Sequence, residues 1–184
     1  MKDSHLILGV TGSVAACKSA ELTTRLVKAG VEVTVIMTDA AQRFVAPLTF
    51  ETLSRRPVVT DMWSRTRYPD PVHISLAEWA DLLVVAPASA NFLGKLANGI
   101  ADDILSCTAI SVKHPPVIAP AMNDRMYNHP AVQRNIEVLK ERDCAFIGPE
   151  TGRLASGKMG IGRLAEPDDI VAVIQSELAK WRAS

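Results

Sequence analysis

The sequence predicts an α/β protein, with parallel strands in a three-layer, doubly wound sheet that makes up a single domain. Three observations predict it. Short apolar runs, most of them rich in Val, Ile or Leu, recur from one end of the chain to the other. Segments with helical spacing separate them. The length, 184 residues, is about that of one ordinary domain. Strands covered on both faces read as continuous apolar runs, and their alternation with helices implies parallel pairing through right-handed crossovers.

In chain order, Leu6–Val10 reads as the first strand and Val14–Ala29, closed by Gly30, as the first helix. Val31–Ile36 is the second strand, and Pro57–Thr60 is a further short candidate. A short amphipathic helix opens at His73 ahead of the strand Leu82–Ala86. The helices Ala90–Asn98 and Ala101–Val112, the strand Val117–Ala119, the helix Ala131–Arg142, the strand Cys144–Ile147 and the helix Asp168–Trp181 complete the pattern. The architecture is therefore of the Rossmann-like or flavodoxin-like kind. Two stretches break the rhythm: Trp63–Val72, and Gly148–Gly162 with its five glycines. Such loops often cover a site, and Gly148–Gly162 is expected to be a flexible loop over a substrate. In open α/β sheets ligands bind beyond the carboxyl ends of the strands.

Lys and Arg number 20, as do Asp and Glu, so the formal charge is zero, against a nucleic-acid partner, which would call for a basic excess. With 48% hydrophobic and 22% charged residues the chain is globular, and at this size it buries roughly two-thirds of its unfolded surface. Cys17, Cys107 and Cys144 form no C-x-x-C pair, which fits a reducing compartment and no metal site. No apolar run approaches roughly 18 residues, and the start MKDSHLILGV lacks a signal-peptide core. The expectation is a soluble, cytoplasmic protein with no membrane partner.

Several motifs carry two readings each. Gly9-Val10-Thr11-Gly12-Ser13-Val14 leads into a helix whose free N–H groups and dipole suit a phosphate; it also reads as a plain βα turn. Neither a Walker A loop nor G-x-G-x-x-G is present, since Cys17 stands before Lys18-Ser19 and the glycines are spaced three apart. Thr38, after the second strand, is a helix cap or a ligand contact. Ser89, Ala90 and Asn91 offer polar and small groups at another helix start. Asp102 and Asp103 read as helix caps rather than an acid–base pair. Asn123, in Pro120-Ala121-Met122-Asn123, is a turn residue or a donor to a carboxylate. His73 ends an irregular loop, and imidazole is the side chain suited to moving protons near neutral pH.

Five segments in this order resemble the homo-oligomeric flavin-containing cysteine decarboxylase family, most closely its phosphopantothenoylcysteine decarboxylase branch. They are Gly12-Ser13-Val14-Ala15-Ala16-Cys17-Lys18; His73-Ile74 through Trp79-Ala80-Asp81; Pro87-Ala88-Ser89-Ala90-Asn91; Pro120-Ala121-Met122-Asn123; and Gly160-Ile161-Gly162-Arg163-Leu164. The resemblance runs from Leu6 to Pro167. It implies FMN held by Gly12, Ser13, Val14, Thr38, Ser89, Ala90 and Asn91, with Ala121 beside the ring. It also implies His73 as the active-site histidine, and Asn123, with Met122, on the substrate. The implied substrate is 4'-phosphopantothenoylcysteine, decarboxylated in coenzyme A biosynthesis after flavin oxidation to a thioaldehyde. The implied assembly is a trimer or dodecamer whose site lies between subunits.

One position departs from the pattern. Ser156, in Leu154-Ala155-Ser156-Gly157, stands where that branch carries a proton-donating cysteine, so the final reductive step is the one put in question. Two other functions compete: a peptidyl-cysteine decarboxylase of the lantibiotic type, which releases the enethiol, and a non-catalytic FMN-binding regulatory protein.

Overall fold

The computed structural model describes residues 1–63 and 71–182. Most of the expected loop Trp63–Val72 therefore lies outside the described residues. The strands β1 (His5–Val10), β2 (Glu32–Met37), β3 (Leu82–Ala88), β4 (Val117–Pro120) and β5 (Ala145–Phe146) form one parallel sheet in the order β2-β1-β3-β4-β5. This is the flavodoxin-like order, whose switch point lies between β1 and β3.

Period-two alternation splits the core between the two faces of the sheet. Leu6, Leu8, Val10, Val84 and Ala86 pack on one side, with α1 (Ala16–Lys28) and α9 (Pro167–Arg182). Ile7, Leu83 and Val85 pack on the other, with α5 (Ala90–Asn98), α6 (Ile104–Ser111) and α8 (Pro130–Glu141). Every residue of β3 is buried, which explains its unbroken apolar run.

The local signals hold. Gly30 ends α1 at φ 81°; its N–H donates to the Val27 carbonyl and that of Val31 to Leu26, the Schellman arrangement that glycine permits. Asp103 and Ser106 open α6 with a reciprocal capping box, so the helix begins at Ile104 rather than Ala101 and, of the two expected caps, Asp103 alone is the N-cap. The first helix departs from its expected start: a tight turn of i→i+3 bonds over residues 13–18 precedes it, so α1 begins at Ala16 rather than Val14.

Other elements differ from expectation. Pro57–Thr60 makes no full strand; Val59 alone bridges the edge strand at Ile36. Three short helices appear besides α4 (Val72–Trp79), the one that His73 opens: α2 (Asp39–Gln42), α3 (Pro47–Ser54) and α7 (Asp124–Tyr127). The stretch Gly148–Gly162, read as a loop, contains an antiparallel hairpin, β6 (Glu150–Arg153) with β7 (Met159–Arg163). Its glycines hid the strands, because glycine is depleted in sheets and leaves no alternating side chains to read.

Candidate functional site

The carboxyl ends of β1 and β3 meet where the strand order reverses, and one side chain ties them. The Thr11 hydroxyl donates to the Pro87 carbonyl at 2.7 Å and accepts from the Ser89 N–H at 2.9 Å. Ser19 of α1 donates to the Ala86 carbonyl at 2.7 Å. The turn after β1 and the loop after β3 are thus held side by side, with Thr11 only 1% exposed. Nothing in the sequence around Thr11 signalled this role, because its partners lie more than seventy residues away.

Two cavities flank that turn. The first, about 620 Å³, is lined by Gly12, Thr38, Ser89, Ala90 and Asn91 among the expected residues. The second, about 350 Å³, is lined by Ser13, Val14, Ala121, Met122, Asn123 and Ser156. The turn from Gly12 to Val14 forms the wall between them. His73 lines neither. It is half-buried at the start of α4, and its Nδ1 is buried with no hydrogen-bond partner among the described residues.

For Thr38 the cap reading and the ligand reading turn out to be compatible, and Ser13 and Ser89 bond in the same way. Ser13, Thr38 and Ser89 each accept a backbone N–H through the hydroxyl oxygen, from Ala15, Ala41 and Phe92 respectively. Each O–H remains able to donate to an anion. Asn123 likewise accepts from the Arg125 N–H through its amide oxygen at 3.0 Å, leaving its NH2 to donate. Among the described residues the amides of Gly12, Ser13 and Val14 donate no hydrogen bond. Free N–H groups at a helix start, the Ser13 hydroxyl beside them and a positive dipole end suit a phosphomonoester. The residues present therefore fit a mononucleotide flavin.

Charged side chains also line the cavities, and the sequence left Lys95, Arg153 and Arg163 among them without a role. In the first, Lys95 reaches Asp102 and Asp103, both at 2.6 Å. Burial works against the ammonium, yet the bonds it donates to Asp102 and Asp103 hold its pKa above the usual lysine value. The Lys95 bond in turn holds the Asp102 carboxyl below its ordinary range. This pair is spent on a cap and an ion pair, not on acid–base work. In the second, Lys18 and Arg163 bind Glu166 at 3.1 and 3.0 Å. Burial pushes the Cys144 thiol up to about 11 and raises that of Cys107, so neither is a ready nucleophile. Among the described residues no three His, Cys, Asp or Glu side chains gather as a metal site.

The hairpin lines the second cavity through Arg153, Ser156, Gly162 and Arg163. The Met122 N–H donates to the Gly162 carbonyl at 3.0 Å. A side chain at Gly162 would meet the Met122 carbonyl oxygen at 2.0 Å, and its φ is 141°. Only glycine lets β7 approach the loop after β4 this closely.

A family model described as Flavoprotein matches residues 1–179. The chain belongs to the flavoprotein family. Among similar proteins in it, "Coenzyme A biosynthesis bifunctional protein CoaBC" of Bacillus subtilis (strain 168) is 49% identical over 180 residues, 98% of this chain but 44% of the relative. The chain thus spans less than half the length of that relative. Two solved structures share the fold closely. A PPC decarboxylase mutant, cysteine to serine, complexed with pantothenoylaminoethenethiol superposes with a TM-score of 0.85 at 35% identity, covering 95% of this chain and 97% of that one. The FMN-dependent cysteine decarboxylase SpaF gives a TM-score of 0.84 at 34% identity, covering 96% and 98%. No described helix is long and apolar enough to cross a membrane.

Proposed function

We propose that this flavoprotein binds FMN and decarboxylates phosphopantothenoylcysteine in coenzyme A biosynthesis. One observation carries the reading: Asn123, with a free amide NH2, lines a cavity that shares the wall Gly12–Val14 with a mononucleotide-sized one. A carboxylate held there stands next to the flavin site. The resemblance to a PPC decarboxylase and to an FMN-dependent cysteine decarboxylase supports the same chemistry.

Bound FMN supplies the electron sink that loss of CO2 from a cysteine carboxylate otherwise lacks. The chain's own share is positioning. Gly12, Ser13 and Val14 offer amides and a hydroxyl to the cofactor phosphate, with Thr38, Ser89, Ala90 and Asn91 on the other wall and Ala121 beside the ring. Asn123 and Met122 orient the substrate carboxylate. The hairpin carrying Ser156 covers the substrate and keeps water out.

His73 is the base or proton relay in this reading, and it acts across a subunit boundary. Its absence from the lining of both cavities and its buried Nδ1, without a partner among the described residues, support a trimer or dodecamer, as do apolar side chains left in water, notably Leu48, Trp63 and Met159. We place the protein in the cytoplasm because its free thiols Cys17, Cys107 and Cys144 fit a reducing compartment. Ser156 favours a second reading, in which the enethiol is the released product, as in a peptidyl-cysteine decarboxylase.

The test is direct. The purified protein should be yellow, release FMN on denaturation, and give CO2 from phosphopantothenoylcysteine, with the product identified by mass. Release of FAD or a nicotinamide nucleotide would refute the cofactor assignment. Bound FMN without CO2 release would leave a non-catalytic flavin-binding protein.

A further inference from the structure

From Thr151 to Ala165 the chain carries Arg153, Lys158 and Arg163 and not one Asp or Glu, although its charges cancel overall. Three cations line the second cavity: Lys18 from α1, Arg153 from β6 and Arg163 from β7. Two of them are engaged. Arg163 holds Glu150 across the hairpin and Glu166 at 3.0 Å, and Lys18 reaches Glu166 at 3.1 Å. The Glu166 N–H also donates to Glu150 at 3.2 Å. The hydrogen bond from Lys18 holds the Glu166 carboxyl below its ordinary range, so this carboxylate stays charged. Two cations facing two carboxylates make a neutral network, in which both terminal nitrogens of Arg163 are paired and its buried Nε has no partner among the described residues. Arg153 is the third cation, and among the described residues its guanidinium makes no ion pair and no hydrogen bond. It stands exposed on the strand that walls the cavity.

We propose that Arg153 receives the phosphomonoester end of the substrate and so sets the preference for a phosphorylated over an unphosphorylated pantothenoylcysteine. This rests on the decarboxylase reading above. Asn123 and Arg153 line one cavity, so a ligand whose carboxylate is held by the first can set a second anion on the other. A planar guanidinium with donors in a fixed fork matches phosphate oxygens bidentately, which a lysine cannot do. Asn123 is already suited to a carboxylate, which leaves the phosphate for the unpaired cation. The flavin's own phosphate is the other phosphomonoester within reach, since Ser13 and Val14 line the same cavity.

The experiment compares kcat/KM for phosphopantothenoylcysteine and for pantothenoylcysteine in the flavin-loaded protein, in Arg153→Gln and in Arg153→Lys. It also measures bound FMN by absorbance and the affinities of 4'-phosphopantetheine and pantetheine by calorimetry. In Arg153→Gln the preference for the phosphorylated substrate falls about tenfold to a hundredfold, chiefly through KM. The phosphopantetheine affinity falls with it, FMN content is unchanged, and Arg153→Lys keeps part of the preference. Equal kcat/KM for the two substrates in the unaltered protein overturns the proposal, as does an unmoved preference in Arg153→Gln. Loss of FMN from that variant overturns it too, by assigning Arg153 to the cofactor phosphate. An unaltered protein that decarboxylates neither compound overturns the decarboxylase reading itself.

Discussion

The Thr11 hydroxyl accepts a hydrogen bond from the Ser89 N–H at 2.9 Å while donating to the Pro87 carbonyl at 2.7 Å. One buried oxygen thus sets the spacing between the turn after β1 and the loop after β3, the two walls of the larger cavity. Thr11→Val keeps the shape and removes the hydroxyl, stranding the Ser89 N–H and leaving the Pro87 carbonyl only the longer bond from the Thr11 N–H at 3.3 Å. It should cost about 1 to 3 kcal/mol of stability and loosen the flavin, whereas Thr11→Ser should retain most of both. Urea unfolding and flavin content after gel filtration check this. Unchanged stability in Thr11→Val would mean that water replaces the hydroxyl.

Gly162 brings β7 against the loop after β4 at a φ of 141°. In Gly162→Ala the new methyl meets the Met122 carbonyl at 2.0 Å, so the Met122–Gly162 hydrogen bond must break or the loop must shift. The backbone strain alone should cost about 1 to 3 kcal/mol. Limited proteolysis should cut the hairpin of this variant faster than that of the parent. Equal rates would show that the hairpin is held by its other contacts.

Glu166 ties the hairpin to α1. Its carboxyl is held low by the hydrogen bond from Lys18, so its folded-state pKa lies below the unfolded one. The stabilisation is therefore complete above the unfolded carboxylate range and disappears as pH falls through the folded value. Tm followed from about pH 7 to about pH 3 should drop more steeply for the parent than for Glu166→Gln, which starts lower. Parallel curves would rule this pair out as a contributor.

His73→Asn should keep its flavin and its assembly size yet release no CO2. If His73 and Asn123 serve one site from different subunits, mixing His73→Asn with Asn123→Asp chains should restore measurable turnover. Absence of rescue after subunit exchange would place both residues of a site in one chain.

Ser156 is the position that distinguishes this chain from the branch it resembles. A serine hydroxyl is a far weaker acid than a thiol, so it is a poor donor for the last protonation. The parent should release CO2 but accumulate enethiol and reduced flavin, and Ser156→Cys should yield the saturated aminothiol. Many turnovers to saturated product in the parent would assign the proton to another donor, Lys158 or water.

What the sequence by itself determined is what local chemistry controls. Continuous Val, Ile and Leu runs located β1 to β4, because a strand buried on both faces has no polar alternation. Gly30 and Asp103 marked the end of α1 and the start of α6, because left-handed backbone and orphaned N–H groups demand those residue types on the spot. Thr38 was legible as a cap, Ser89 as a polar group at a helix start and Asn123 as a turn residue, and the same hydroxyls and amide leave a donor for a ligand. Tertiary structure alone decided the rest. The strand order puts the switch point between β1 and β3, which separates the expected site residues into two cavities and leaves His73 outside both. The hairpin β6–β7 was invisible locally because its glycines carry no pattern; it holds by its contact with Met122 and by the ion pair from Arg163 to Glu166, which Lys18 binds in turn. Thr11 and the Lys18–Glu166 pair join residues 76 to 148 positions apart. Such couplings leave no trace in a local window, because their energy comes from groups that meet only once the chain has folded.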